Sequence, residues 1–243
     1  MSYPFLTTLG LALLPAVGNL LGGLLAEWLH PSDHFVNRAL HAATGVILAV
    51  VAVDVMPLSL QQAPAWLLAL AFVAGGGLHL GIEALVVRWQ EGRAQGAGAG
   101  AWMAYIAVAS DLLGDGLLIG AGSAVSSQLA VSLVIGQVLA DVPEGFAVIA
   151  NFRNKGVGRT RRLLLSALFV IPVVAAAAVA YVALRAQGPL LKMTALVFVA
   201  GLFVLAAVED MLREAHDSAE DSRWSAISFL AGFALFLVVG SVR

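Results

Sequence analysis

Long apolar segments, each about as long as a lipid bilayer is thick, alternate with short polar segments along the whole chain. An α-helix rises about 1.5 Å per residue, so about 20 apolar residues span the hydrocarbon core. The pattern therefore predicts eight membrane-spanning helices joined by short loops. Their predicted bounds are residues 5–28, 39–60, 64–88, 101–123, 127–151, 163–185, 189–212 and 223–241.

The composition supports a membrane protein built from helices. Of the 243 residues, 60% are hydrophobic and 12% are charged, whereas soluble domains are about 25% charged. Membrane β-barrels alternate polar and apolar residues at every second position, and the long apolar segments here do not. We therefore predict one all-α transmembrane domain over residues 1–243. The absence of cysteine excludes disulfides, thiolate metal ligands and cysteine nucleophiles.

The basic residues predict the orientation. Ten of the thirteen lie in odd-numbered loops: Arg38, Arg88, Arg93, Arg153, Lys155, Arg159, Arg161, Arg162, Arg213 and Arg223. The even-numbered loops and the termini hold Arg185, Lys192 and Arg243. Because Lys and Arg accumulate in cytoplasmic loops, both termini are expected outside the cell. No basic region precedes the first apolar segment, so we interpret it as a retained helix and not as a signal peptide.

Two acidic motifs lie in helices 4 and 5, which only a tight turn separates. Residues 110–116 read SDLLGDG and residues 140–145 read ADVPEG. A carboxylate near the bilayer centre costs about 2.5–3.5 kcal/mol on insertion scales, so four of them indicate a function. The helical rise puts both pairs near the midplane from opposite directions, and the spacing puts each pair on one helical face. The predicted ligands of a divalent cation are Asp111, Asp115, Asp141 and Glu144.

A structural interpretation of the same motifs remains open. The two helices could simply be kinked and tightly packed, with their acids paired internally, although no Lys or Arg lies at that depth. Pro143 removes one backbone donor, and Gly114 and Gly116 permit irregular backbone or a close helix approach.

Further polar residues fit a route through the membrane. Asp54, near the outer end of helix 2, could collect ions, or it could be an interfacial acid. Four residues at the inner end of helix 7 could form an exit, or could be a solvated helix end: Glu209, Asp210, Glu214 and His216. His79 and Glu83, one turn apart on helix 3, could be ligands, but a packing role is the stronger interpretation.

With these motifs the chain resembles the ZIP (Zrt/Irt-like) family of divalent-metal transporters. Such proteins carry a His-Asn-x-Pro-Glu-Gly type motif on helix 4 and a His-x-x-Pro-Glu-Gly type motif on helix 5. Asp111 corresponds to the first histidine, Asp115–Gly116 to the first Glu-Gly pair, and residues 143–145 to Pro-Glu-Gly. Residues 209–216 (EDMLREAH) resemble the helix-7 ending Asp-Glu-Leu-x-Pro-Glu-Ala-His. The resemblance covers nearly the whole chain, including eight helices and a variable loop between helices 3 and 4.

The resemblance implies a 3+2+3 arrangement, in which helices 1–3 (5–88) and 6–8 (163–241) form inverted repeats around the hairpin (101–151). It also implies a homodimer and inward movement of zinc, iron or manganese, with cadmium as a probe ion. The chain departs from the family pattern, since Asp111 and Ala140 stand at the two histidine positions and Ile171 precedes Pro172. One metal site is therefore expected in preference to two. Because carboxylates suit harder ions than imidazole does, the all-oxygen set shifts the expectation towards manganese.

The predicted function is uptake of a divalent metal into the cytoplasm across the inner or plasma membrane. The metal is the cargo, and no organic cofactor or nucleic acid is expected. The alternative is a carrier of protons or of another small cation, with the same acids as titrating groups. We do not expect an enzyme, because the chain lacks a His-Glu-x-x-His motif and the Gly-x-Gly-Asp segment of an intramembrane protease.

Overall fold

The computed structural model describes residues 5–91 and 99–241 and contains eight long helices. Within these residues there is no β-strand, so the predicted all-α transmembrane fold is confirmed. All eight helices are long and apolar enough to cross a membrane. In chain order they are α1 Phe5–Leu29, α2 Asp33–Leu60, α3 Ala65–Glu91, α4 Ala99–Val125, α5 Ser127–Asn154, α6 Arg159–Leu184, α7 Pro189–Ser218 and α8 Arg223–Ser241.

Several helices are longer than the apolar pattern predicts. α2 begins at Asp33 and not at residue 39, and α7 continues to Ser218 and not only to residue 212. In both cases polar turns extend an apolar span, and the Ser32 side chain caps α2 by accepting from Phe35 N–H. Ser126 alone separates α4 from α5 and caps α5 through Leu129 N–H, which gives the predicted tight hairpin. The loop between helices 3 and 4 lies at residues 92–98, outside the described residues, as do Arg93 and Arg243.

Two helices contain a π-helical turn. One covers Val51–Val55 in α2, and the other covers Ala207–Met211 in α7. Such a turn accommodates one extra residue and is frequent at functional sites. α5, by contrast, continues through Pro143 as an α-helix, so the missing backbone donor does not interrupt this helix.

The helices form two groups that meet along the α2–α5 and α4–α7 contacts. In the first group α5 packs on α1, and α4 packs on α6. In the second group α2 packs on α8, and α3 packs on α7. The acidic hairpin α4–α5 thus belongs to the first group and faces the second.

Glycines set the distance between the helices of each pair, because a side chain at these positions would collide with backbone. Gly45 of α2 lies against Phe229 of α8, and Gly232 of α8 lies against Ala42 of α2. Gly201 of α7 and Gly75 of α3 make the same reciprocal contacts, to Phe72 and Phe198 respectively. Close approach of this kind supports helix association in membranes.

The two halves of the chain therefore repeat one packing pattern. Exchanging α1, α2, α3 and α4 with α6, α7, α8 and α5 leaves the main packed helix pairs unchanged. The separation in sequence between Gly45 and Gly201 is the same as that between the two π turns, Val51–Val55 and Ala207–Met211. Since odd helices exchange with even ones, which run in the opposite direction, the repeat is inverted.

The connections α1–α2, α5–α6 and α7–α8 lie at one end of the molecule, which we call the basic end. It is the end of Arg38, Lys155, Arg159 and Arg223. The opposite end holds the connections α2–α3, α4–α5 and α6–α7.

Candidate metal centre

The α4–α5 hairpin brings the four predicted ligands into one polar cluster. Asp115, Asp141 and Glu144 are buried, and Asp111 is half-buried. The four carboxyl groups lie within electrostatic reach of one another. The side chains of Asp141 and Glu144 also lie within hydrogen-bonding reach. The prediction that the two motifs share one region is consistent with this placement.

The glycine after each central acid explains how the hairpin is held. Gly116 follows Asp115 and lies against the Val173 backbone of α6. Gly145 follows Glu144 and lies against the Asn19 backbone of α1. Successive residues are about 100° apart around a helix, so the glycine can face the outer helix while the acid occupies a different face. The inverted repeat thus carries one acid–glycine pair on each arm of the hairpin.

Gln137 joins the two arms and was missed by the sequence analysis. Its Nε2 donates to the backbone oxygen and to Oδ1 of Asp115, both at 3.1 Å. It is fully buried and lies four residues before Asp141 and seven before Glu144, on the same face of α5. That spacing was a usable signal, because a glutamine one turn from an intramembrane acid offers a further oxygen ligand.

Across residues 5–91 and 99–241, no Lys or Arg forms an ion pair with any of the four acids. Three buried oxygens have no hydrogen-bond partner: Gln137 Oε1, Asp141 Oδ2 and Glu144 Oε1. A buried acceptor without a donor is costly, and a cation is a partner that such oxygens can bind.

The cluster is wider than one closed coordination sphere. Among the described residues, only one group of three acidic or histidine ligand atoms lies within 4.8 Å of one another, and it is not in this cluster. The residues of that group are His79, Glu83 and Asp210. The midplane carboxylates could hold a cation between two or three oxygens, and would need side-chain movement to surround it.

The predicted exit residues at the end of α7 separate into four contacts. Glu209 pairs with Arg213, and Asp210 pairs with His79 of α3 at 2.9 Å. Glu214 accepts from Asn151 of α5 at 3.1 Å. His216 contacts Asp221 at 2.8 Å. The first two contacts belong to α3 and α7, so the four residues do not form one site.

His216 belongs to a polar group that ties α7 to α2 and α8 at the basic end. Asp221 accepts from Asn37 Nδ2 at 3.0 Å and lies 3.5 Å from His41 Nε2. The hydrogen bond from Asn37, together with the nearby His41 and His216, holds the pKa of Asp221 below its usual value. Ser225 donates to Asn37 Oδ1 at 2.6 Å and completes the group.

Asp54 lies in the π turn of α2, near the opposite end. Ser132 of α5 donates a hydrogen bond to Asp54 Oδ2. A cavity of about 470 Å³ is lined by Asp54, Pro57, Gln61 and Gln128 among others. This position agrees with the predicted entry residue, although the role itself remains a prediction.

Asn19 of α1 is the remaining buried polar residue next to the hairpin. Its side chain is fully buried, and neither amide atom has a hydrogen-bond partner. The sequence analysis gave it no role in the site. Its backbone oxygen contacts Gly145, so it lies beside the α5 motif.

Comparison with protein-family models gives no match for this sequence, and comparison with curated proteins gives none either.

Proposed function

We propose that the protein transports divalent metal cations across the membrane through the carboxylate cluster of the α4–α5 hairpin. The observation that carries this proposal is the clustering of four acidic side chains, three of them buried, on the two arms of the hairpin. The four acids have no basic partner among the described residues, and three buried oxygens lack donors. Only a cation or several protons can neutralise such an environment.

The arrangement of the helices supports a transporter in preference to a structural protein. Intramembrane acids are expensive and mark ion pathways, and transporter sites commonly lie at the interface of inverted repeats. Here the cluster lies on the two helices that exchange with each other in the repeat, and faces the second helix group. Rocking of α1, α4, α5 and α6 against α2, α3, α7 and α8 would expose the cluster to each side in turn.

The resemblance to the ZIP family supports the cargo class of zinc, iron or manganese. Carboxylate and amide oxygens suit manganese, and Zn²⁺ also accepts carboxylate oxygen. The excess of Lys and Arg at the basic end favours its placement in the cytoplasm, with both termini outside and net movement inwards. A homodimer in the inner or plasma membrane is the assembly that the resemblance favours.

The decisive experiment measures uptake of Mn²⁺ and Zn²⁺ into proteoliposomes. Replacement Glu144→Gln removes one anionic ligand while preserving shape, and should lower the initial rate at least tenfold. Glu220→Gln, an exposed acid in the α7–α8 loop, is the matched control and should leave uptake unchanged. Wild-type rates in a folded Glu144→Gln protein would overturn the proposal.

A proton carrier is the second candidate, and one observation favours it. Asp141 and Glu144 lie within hydrogen-bonding reach, so a shared proton would relieve the repulsion between the two carboxyl groups as a cation would. Proton flux into vesicles free of divalent metal separates the two functions. A pH gradient that collapses equally fast with and without Mn²⁺ would support the proton carrier.

A further inference from the structure

Three metal-ligating side chains converge between α3 and α7, towards the basic end. His79, Glu83 and Asp210 each offer a ligand atom, and these atoms all lie within 4.8 Å of one another. Asp210 is also within electrostatic reach of Asp111, the acid of the midplane cluster on α4. The group is therefore a neighbour of the hairpin cluster and not a remote surface feature.

The histidine of this group is buried and oriented as a ligand would be. Only 7% of His79 is exposed, and its Nε2 lies 2.9 Å from Asp210 Oδ2 without the alignment that a hydrogen bond needs. Bonds of about 2.0–2.1 Å put neighbouring ligands of tetrahedral Zn²⁺ roughly 3.3 Å apart. His79 Nε2 and Asp210 Oδ2 lie somewhat closer together than two ligands of one Zn²⁺ would, so a bound cation would move them slightly apart.

The π turn of α7 contributes the acid of the group. Asp210 lies within Ala207–Met211, where an extra residue is accommodated in the turn. Its counterpart in the inverted repeat is Asp54, which lies in the π turn of α2. The other two residues of the triad have no equivalent ligand in the other half. With Gly75 and Gly232 as equivalent positions, Phe236 is the counterpart of His79 and Gly240 is the counterpart of Glu83. The triad is thus an addition to the basic end alone.

A permanent cation already contacts the triad. Arg213 donates from Nη1 to Glu83 Oε1 and from Nη2 to Glu209 Oε1, both at 2.7 Å. Its counterpart in the repeat is Pro57, and the helix-7 motif that the chain resembles also has proline at this position. A guanidinium stays charged at all accessible pH values, so it opposes binding of a second cation at Glu83.

We propose that His79, Glu83 and Asp210 form a second divalent-cation site, and that Arg213 is a tethered cation that competes with the metal for Glu83. The imidazole and two carboxylates suit zinc in particular. Arg213 keeps the site weak, so that a cation leaving the midplane cluster is passed on without being trapped. The proposal rests on the proposed function only for this last, transport-related role.

The test measures Zn²⁺ binding by calorimetry on purified full-length protein in which Asp111→Asn, Asp115→Asn, Asp141→Asn and Glu144→Gln remove all four carboxylates of the hairpin cluster. This background should retain one weak Zn²⁺ site. Adding Arg213→Gln should lower the Kd at least tenfold, whereas Arg213→Lys should keep the weak affinity. Adding His79→Gln should abolish binding. Because binding and not uptake is measured, the result is independent of whether the protein transports metal.

The matched control is Arg38→Gln. Arg38 also lies at the basic end but contacts Trp224, 6.0 Å from its ring centre, and not the triad. An equal gain of affinity in Arg38→Gln and Arg213→Gln would show a net-charge effect and overturn the competition. Zn²⁺ binding that survives His79→Gln, or a folded background protein that binds no Zn²⁺, would overturn the site itself. Thermal unfolding of each variant, with and without Zn²⁺, establishes that it is folded.

Discussion

The two π turns occupy equivalent places in the inverted repeat but have different chemical surroundings. At the opposite end, Asp54 accepts from a serine hydroxyl beside an open cavity. At the basic end, Asp210 meets His79, and Glu83 beside it is held by Arg213. The backbone repeats, whereas the side chains around the two acids do not.

This difference indicates that packing and chemistry are constrained separately. The glycine contacts repeat because each helix pair needs the same close approach. If the proposed transport function holds, a cation that enters at one end and leaves at the other meets different requirements, which an asymmetric set of ligands can satisfy. A single carboxylate beside a cavity suits capture from solution, and a histidine-containing site weakened by an arginine suits release.

The largest expected effect comes from breaking the packing that the halves share. Gly45→Val and Gly201→Val each force a branched side chain into a facing backbone. Overpacking typically costs about 1–3 kcal/mol, so both variants should lose several degrees of thermal stability, and to a similar extent. Gly77→Val, which faces open space, should be nearly neutral in the same unfolding assay. A large difference between the stability losses of Gly45→Val and Gly201→Val would mean that the two equivalent helix contacts contribute unequally to stability.

A smaller effect should distinguish the two acids. Asp210→Asn weakens a site of three ligands and leaves His79 without its anionic partner. The uptake rate should therefore fall about tenfold, which corresponds to an activation free energy about 1.4 kcal/mol higher. Asp54→Asn keeps an oxygen at a site exposed to a cavity, so uptake should fall only about threefold. Initial rates of Mn²⁺ uptake over a range of concentrations would measure both. Equal losses would contradict the proposed asymmetry.

Much of the architecture was predictable from the chain because hydrophobicity alone determines where a helix can cross lipid. The eight spans, the hairpin turn at Ser126 and the four acids follow from this constraint. The π turns were not predictable, since they depend on how α2 and α7 pack and leave no clear mark in the pattern of apolar residues.

The polar contacts between distant helices were also beyond prediction. His79 and Asp210 are far apart in the chain, so nothing local indicates that they meet. Gln137 was accessible through its spacing from Asp141 and Glu144, but an uncharged residue attracts less notice than an acid. The sequence analysis grouped four residues as one exit because they are close in sequence: Glu209, Asp210, Glu214 and His216. In the structure each of the four contacts a different partner.

The smallest expected effect concerns a contact that only the basic end has. The counterparts of His41 and His216 are Val197 and Leu60, so the opposite end has nothing equivalent to the Asp221 group. The pKa of Asp221 is lower in the folded protein than in the unfolded one. Its contribution to stability is therefore present above the pKa of the unfolded state, near 3.9, and is lost as the pH falls through the pKa of the folded state.

Asp221→Asn should therefore lower the melting temperature by about 1–3 °C at pH 7, in keeping with an exposed ion pair. At pH 3 the difference from wild type should shrink, because Asp221 is then largely protonated in the unfolded protein and increasingly so in the folded one. Glu220→Gln serves as the control, and a deficit that is equally large at both pH values would show that Asp221 acts through its hydrogen bonds and not through its charge.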